Sequence, residues 1–410
     1  MISQWYEPEP GAAAHPTAVA RALAASGNDV RVLTGYPNYP HGRIYPGYKM
    51  RMRQREVRDG IDVLRVPLHA SHDASAFRRA LSLTSFAVSA SSQVAWLRNV
   101  DACLVYMTPA TVGLPALLLK ALRDRPFVLY VQDLWPDSVM ASGFLGESVL
   151  APRIESAINR MCRLLYSHAA SIAVIAPSMR QVLMDRGVNP SKIHVVYNWI
   201  DEEIFRPQEP QADFKAELSE DKFWLMYAGG LGEVQGLSTA VEAIGLLSDR
   251  PEIGLALVGD GVAALNLRRI VNDLNLQDRV KFFGSQQMTL MPAIIAAADA
   301  QLISLKDLPL FRGTIPSKMQ SALACGQPLI VSAPGDSSNL VLQAQAGFCS
   351  APEDPADLAR TIVRMADLSG ATRAQMGQRG RAYYIKHLSS TVGGQRLSDL
   401  LAHAAASQCV

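Results

Sequence analysis

Runs of four to six β-branched and aliphatic residues recur along this chain, separated by longer stretches with helical spacing. Asp29–Thr34, Ile61–Val66, Ala102–Tyr106, Phe127–Val131, Ile172–Ile175 and His194–Tyr197 form a first set. The chain then changes character at Asp201-Glu-Glu and a Pro- and Gln-rich stretch, residues 207–212. The alternation restarts at Trp224–Ala228 and continues through Gly254–Val258, Val280–Phe283, Ala300–Ser304 and Pro328–Val331. Short apolar strands alternating with helices predict parallel sheets covered by helices on both faces. The expected class is α/β, with two Rossmann-like domains facing each other across a cleft. The first domain is placed at residues 1–200 and the second at 201–385. The helical segment 386–410 is expected to cross back onto the first domain. Met1–Gln4 offers at most four residues of strand, so either the first strand is short or the start has been set a few residues late.

Composition narrows the class. Of 410 residues, 49% are hydrophobic and 19% charged, which suffices for two cores and excludes a disordered or disulfide-stapled chain. The net charge of +2 divides into +7 over residues 1–200 and −5 over 201–410. A basic first half suits an anionic partner, although scattered surface charge gives the same count. Cys103, Cys162, Cys325, Cys349 and Cys409 form no CxxC pair and read as reduced thiols of a cytoplasmic protein. No His, Cys, Asp or Glu cluster has zinc spacing, so neither a metal nor another cofactor is expected. Glu7 and Glu9 fall where a signal peptide would be apolar. The uncharged run Ala80–Leu97 is diluted by five Ser, a Thr and a Gln, and is too polar for a membrane span.

Five segments carry candidate chemistry. Gly11 and Ala12 open a small-residue turn before a helix, where a ligand could approach the backbone; a plain βα turn is the alternative. Gly229, Gly230, Gly232 and Gly236 fall within eight residues directly after a strand and would offer N–H groups to a diphosphate. No P-loop ending follows them, which argues against ATP hydrolysis. Gly259-Asp260-Gly-Val-Ala-Ala264 fits a dinucleotide fingerprint, but Val280–Gly284 supplies no acidic residue for a nicotinamide ribose. Pro316 and Ser317 start a helix whose first turn holds Lys318, a cation at the positive end of the dipole. That placement makes sense if an anion sits over the terminus; a solvated lysine is the alternative. Asp133-Leu-Trp135-Pro-Asp137 ends a strand with an indole and two carboxylates, suited to a sugar, or equally to an aromatic anchor.

Taken together, these residues resemble the family-4 retaining glycosyltransferases of the GT-B fold over nearly the whole chain. The markers in order are residues 3–11, Leu33-Thr-Gly-Tyr-Pro-Asn38, Asp133-Leu-Trp-Pro136, Ala176-Pro-Ser178, Asn198-Trp-Ile-Asp201, Gly229–Gly236, Leu257–Gly261 and Ile315-Pro-Ser-Lys318. The subgroup most similar builds O-antigen, capsule and exopolysaccharide, and includes N-acetyl-L-fucosamine and fucose transferases.

The resemblance implies a donor site at Gly229, Gly230, Gly232, Gln235, Gly236, Gly259, Asp260, Gly284, Thr314, Ile315, Pro316, Ser317 and Ser321. It implies acceptor contacts at Gly11, Ala12, Trp135 and Asn198, with Lys318 and Asp133 at the chemistry. Departures accompany it. The family's Glu-x7-Glu pair falls on Gly313 and Ser321, and its diphosphate-binding Arg and Lys fall on Gly230 and Gln235. Lys318 and its helix terminus are the substitutes. The implied reaction moves a sugar, with retention, from a UDP- or GDP-linked donor to a polyprenyl-diphosphate-linked saccharide at the inner face of the cytoplasmic membrane. No nucleic acid is involved. Lys49, Arg51, Arg53, Arg55 and Arg58, followed by Arg78, Arg79 and the Ala80–Leu97 stretch, are read as a surface for anionic lipid, so the protein is placed in the cytoplasm, peripherally bound to membrane. Alternation of those arginines equally suits an edge strand. A catalytically silent sugar-nucleotide-binding protein is the competing class.

Overall fold

The computed structural model of the chain describes residues 1–71, 76–141 and 151–407. Cys409 lies outside the described residues. The chain forms two compact units, Met1–Asn198 with the final segment from Ser390, and Trp199–Ser389.

The strands of the first unit are β1 (Arg31–Gly35), β2 (Gln54–Arg58), β3 (Ile61–Val66), β4 (Cys103–Met107), β5 (Phe127–Val131), β6 (Ser171–Val174) and β7 (Ile193–Val195). They pair in the orders β1-β3-β2 and β4-β5-β6-β7. Ile2 bridges Leu33 of β1 and Val105 of β4, both in parallel sense, and so joins the two sets. The extended residues beginning the chain thus act as a central strand. β4, β5 and β6 are buried throughout, which is why each reads as an uninterrupted apolar run. β2 escaped sequence reading as a strand of known register. It runs antiparallel to β3 at the sheet edge with Arg55, Val57 and Arg58 exposed, as the alternating arginines allow.

Helices α1 (His15–Ala25), α2 (Ala76–Ser91), α3 (Leu114–Arg123), α4 (Asp137–Ala141), α5 (Ala151–His168) and α6 (Pro177–Asp185) connect these strands. The last helix of the chain, Ser390–Ala406, packs on α1 and reaches β5 and β6. A Cβ on its Gly394 would lie 2.9 Å from the Ala22 Cβ, so glycine permits that close helix crossing.

The second unit holds β8 (Phe223–Ala228), β9 (Ile253–Val258), β10 (Val280–Gly284), β11 (Ala300–Ser304), β12 (Leu329–Ser332) and β13 (Gly347–Cys349) in the order β10-β9-β8-β11-β12-β13, all parallel. Relative to its first strand this is the 3-2-1-4-5-6 order of a dinucleotide-binding sheet. Alternate residues of β8 serve opposite faces. The helices of this unit run α7 (Ala212–Glu217), α8 (Leu237–Leu246), α9 (Ala264–Asp273), α10 (Met291–Ile295), α11 (Ser317–Ala324), α12 (Asp336–Gln343), α13 (Pro355–Ala366) and α14 (Gly370–His387). Leu225 and Tyr227 join the core under α8 and α13, while Trp224 and Met226 pack with Phe214 and Ile294. Strand order reverses between β8 and β11, and a crevice opens at the carboxyl ends there.

Candidate functional site

A cavity of about 380 Å³ occupies that crevice in the second unit. Ala228, Gly229 and Gly230 line it from the end of β8, Val258, Gly259 and Asp260 from β9, and Leu302 and Ile303 from β11. Ser317, Lys318 and Ser321 enter from α11 (Ser317–Ala324). Gly232, Gln235, Gly236, Gly284, Thr314, Ile315 and Pro316 do not line it. Residues that sequence reasoning missed complete the wall: Ile200, Phe205, Ser285, Gln286, Met288, Met291, Ile295 and Gln301. Methionines and aliphatics lack a charge or turn signature, so only the fold selects them.

Lys318 sits in the first turn of α11, whose N-cap Pro316 has no side-chain group to accept a helix N–H. Its ammonium donates to the Tyr227 hydroxyl and lies 4.1 Å from the centre of that ring. The Tyr227 hydroxyl donates onward to the Gly230 carbonyl at 2.8 Å. Among the described residues no carboxylate lies within ion-pair distance of Lys318. Burial without a counter-charge pushes the ammonium down to about 8, and the same burial pushes the Tyr227 phenol up. The cavity therefore holds a desolvated cation at the positive end of a helix, an arrangement stabilised by any anion that enters.

The glycine run does less cradling than its composition suggests. The Gly229 N–H is spent on the Val258 carbonyl at 2.9 Å, and that of Gly236 on Glu233 at 3.4 Å. A Cβ on Gly259 would come within 2.0 Å of the Gly229 oxygen, and one on Gly261 within 2.4 Å of the Leu231 oxygen. These glycines let the loops after β8 and β9 touch through their backbones. Gly230 differs: its nearest neighbour to a new Cβ is 4.0 Å away, and no protein partner for its N–H occurs among the described residues. Gly229 keeps open the space taken by Lys318, whose Cε and Nζ would both lie 3.2 Å from a Cβ there. Ser321 is buried and donates to the Ser317 carbonyl at 3.0 Å, so it closes the helix turn instead of replacing a carboxylate.

In the first unit, the carboxyl ends of β4 and β5 gather a polar cluster. Thr108 donates to Asp133 at 3.1 Å, and burial raises the Asp133 carboxyl against that bond. Asn198 donates to Gln132 and accepts from the Tyr130 hydroxyl, both at 2.7 Å. His15, at the head of α1, shares a 3.2 Å hydrogen bond with Tyr106. Desolvation pushes its imidazole down to about 4, so the ring is neutral at ordinary pH. His15 was legible directly after the small-residue turn, but a lone histidine gave no reason to choose it. Gly11 is exposed in the left-handed region at φ +63° and the backbone of Ala12 continues the turn before α1; nothing of the Ala12 side chain is described. Trp135 is held by its carbonyl, which accepts from Arg186 at 2.9 Å. Glu9 is buried and accepts N–H bonds from Tyr6, Asn38 and Tyr39, tying two loops together.

The proposed lipid surface changes in two respects. Phe86, Val94 and Leu97 are buried in the first unit, so one face of the Ala80–Leu97 stretch is core. Leu81 and Val88 remain exposed. Arg55 pairs with Asp62 and Arg58 with Glu56, leaving Lys49, Arg51 and Arg53 as the exposed cations of that run without an ion pair among the described residues. The Arg79 side chain lies outside what is described. No described helix is long and apolar enough to cross a membrane. Among the described residues no three His, Cys, Asp or Glu side chains group as metal ligands.

Comparison with known proteins follows the two units. Residues 10–199 match the glycosyl transferase 4-like domain, and residues 208–383 match glycosyl transferases group 1. The chain is 29% identical over 326 residues to the putative colanic acid biosynthesis glycosyl transferase WcaI of Escherichia coli K12, covering 76% of this chain and 77% of that protein. It is 24% identical over 298 residues to the probable glycosyltransferase WbjE of Pseudomonas aeruginosa, covering 70% and 72%. The crystal structure of Anabaena HepE in complex with UDP superposes with a TM-score of 0.66 at 15% identity, over 96% of this chain and 98% of that one. With a glycosyltransferase domain matched in each half and the fold shared throughout, the chain is a glycosyltransferase of the GT-B fold.

Proposed function

We propose that the protein transfers a sugar, with retention of anomeric configuration, from a nucleoside-diphosphate sugar to a lipid-linked saccharide during surface-polysaccharide assembly. The observation that carries the donor half is Lys318: a buried ammonium without a carboxylate, at a helix N-terminus, facing a cavity beside the open Gly230. A diphosphate is the anion that suits it. The apolar wall of Met288, Met291 and Ile295 suits a nucleobase or the apolar face of a sugar. The name of WcaI, a putative colanic acid biosynthesis glycosyl transferase, supports the polysaccharide part of this reading, and the UDP bound to HepE supports the nucleotide part. An N-acetyl-fucosamine-type sugar on UDP or GDP is the donor proposed.

In the step itself, the bond from the anomeric carbon to the diphosphate oxygen breaks as the acceptor hydroxyl bonds to the same face. The hydroxyl proton passes to the departing diphosphate oxygen. Lys318 and the terminus of α11 stabilise the charge that develops there, without a metal. Asp133, with Thr108 fixing one oxygen, orients sugar hydroxyls on the first unit.

The test is a panel of UDP- and GDP-sugars incubated with purified protein and a polyprenyl-diphosphate saccharide, with anomer analysis of the product by NMR. An α-linked product from an α-linked donor is expected. Saturable donor binding without any product would replace this reading with a silent sugar-nucleotide-binding protein.

A further inference from the structure

The first unit contains a second cavity, of about 460 Å³, lined by none of the candidate donor, acceptor or catalytic residues discussed so far. α5 forms one side, and the loop joining α6 to β7 forms the other. Arg163, Arg186 and Lys192 line it, and no carboxylate does. Two of these cations have evident structural work. Lys192 donates to the carbonyls of Ser167 and Ala169, at 3.2 and 3.0 Å, where α5 ends. Arg186 donates to the Trp135 carbonyl and pairs with Asp137.

Arg163 has no such employment. It is exposed, and no carboxylate among the described residues lies within ion-pair distance. Tyr166, one turn along α5, is the second unexplained group. It is 4% exposed, and its hydroxyl is buried beside the Cys162 thiol, with no nitrogen or oxygen partner among the described residues. A phenol buried in this way destabilises the fold relative to phenylalanine unless something else bonds it. Asn189 adds donors of the same kind: its carbonyl oxygen is occupied by the Ser191 N–H and hydroxyl, which leaves its NH₂ group available.

We propose that this cavity is an anion site that takes a phosphate group, with Arg163 and Lys192 supplying charge and the Tyr166 hydroxyl and Asn189 amide supplying hydrogen bonds. The phosphate belongs either to a soluble phosphate ester or diphosphate, or to a lipid headgroup; the recognising chemistry is the same. Arg186 couples the cavity to the sugar-facing segment, because the guanidinium that lines it also holds Trp135 and Asp137. Occupancy is therefore felt by the Asp133–Asp137 loop.

The probes are inorganic phosphate and diphosphate in calorimetry, and phosphatidic acid vesicles against phosphatidylcholine vesicles in flotation. All are applied to the full chain carrying Lys318→Ala, which removes the cation of the first cavity. Saturable binding of one anion per chain is expected. Arg163→Gln should weaken it tenfold or more and Tyr166→Phe at least threefold, with thermal midpoints no lower than that of the parent. Binding of the free anions identifies a soluble ligand. Sensitivity to both substitutions seen only with phosphatidic acid vesicles identifies a headgroup. Absence of binding to all the anionic probes, or binding that neither substitution changes, overturns the proposal.

Discussion

Lys318 is held in a state that suits binding better than stability. Its folded value of about 8 lies below the usual lysine value, so between about pH 8 and 10.5 the unfolded chain binds more protons than the folded one. Stability of the unliganded protein should rise with pH across that window. Lys318→Met removes the desolvation cost, and should raise stability near pH 7 by about 1 kcal/mol while flattening the rise. The same substitution should lower turnover about 100-fold, the scale of losing a charge-stabilising group. Denaturant titrations at pH 7 and 9.5 and steady-state kinetics measure both. A variant that is less stable and equally active would remove Lys318 from the site. His15 titrates in the opposite region. With a folded value of about 4 against about 6.5 unfolded, its contribution is complete above 6.5 and lost as pH falls toward 4. His15→Gln should reduce the acid slope of stability by up to about 1.4 kcal/mol per pH unit, the weight of one proton.

The loops after β8 and β9 separate glycines that fold from glycines that bind. Gly259 is in the positive region at φ +130°, and a Cβ there would strike the Gly229 oxygen. Gly259→Ala should therefore cost about 2–4 kcal/mol, through strain and displaced backbone. Gly230→Ala meets nothing closer than 4.0 Å, so stability should change by less than about 1 kcal/mol. A methyl group at the cavity wall should nevertheless raise the donor KM fivefold or more. Thermal melts beside donor-saturation curves distinguish the two positions. If Gly230→Ala leaves KM unchanged, the donor does not approach that backbone.

At the scale of the whole molecule, charge asymmetry directs the remaining expectation, peripheral attachment to an anionic membrane. Lys49, Arg51 and Arg53 each contribute on the order of 1 kcal/mol near anionic lipid, and exposed Met52 and Val57 of the same edge add apolar area. Flotation should show binding to anionic vesicles at low salt that is weak at high salt. Substituting the three cations by Gln should abolish it. Equal flotation with neutral vesicles would point to apolar contact alone. Because Phe86 is core, substitutions there should unfold the first unit without informing on lipid.

The sequence by itself determined the strand–helix alternation in both halves, because a strand buried on both faces must be apolar throughout, as in Phe127–Val131. It also marked Lys318 as a cation at the wrong end of a helix, since that anomaly is local. The resemblance supplied the glycosyltransferase expectation that the domain matches then bore out. The tertiary structure decided what depends on distant contacts. It made Ile2 a central strand, which four residues of pattern could not specify, because the bridge partners Leu33 and Val105 are far along the chain. It divided the glycines, since identical residues at 229, 230 and 259 meet different neighbours. It put Tyr227 between Lys318 and Gly230, turning a core aromatic into a hydrogen-bond relay. And it gathered Arg163, Tyr166 and Lys192 around one cavity: a charge on a helix face becomes a site only when another element brings the second wall.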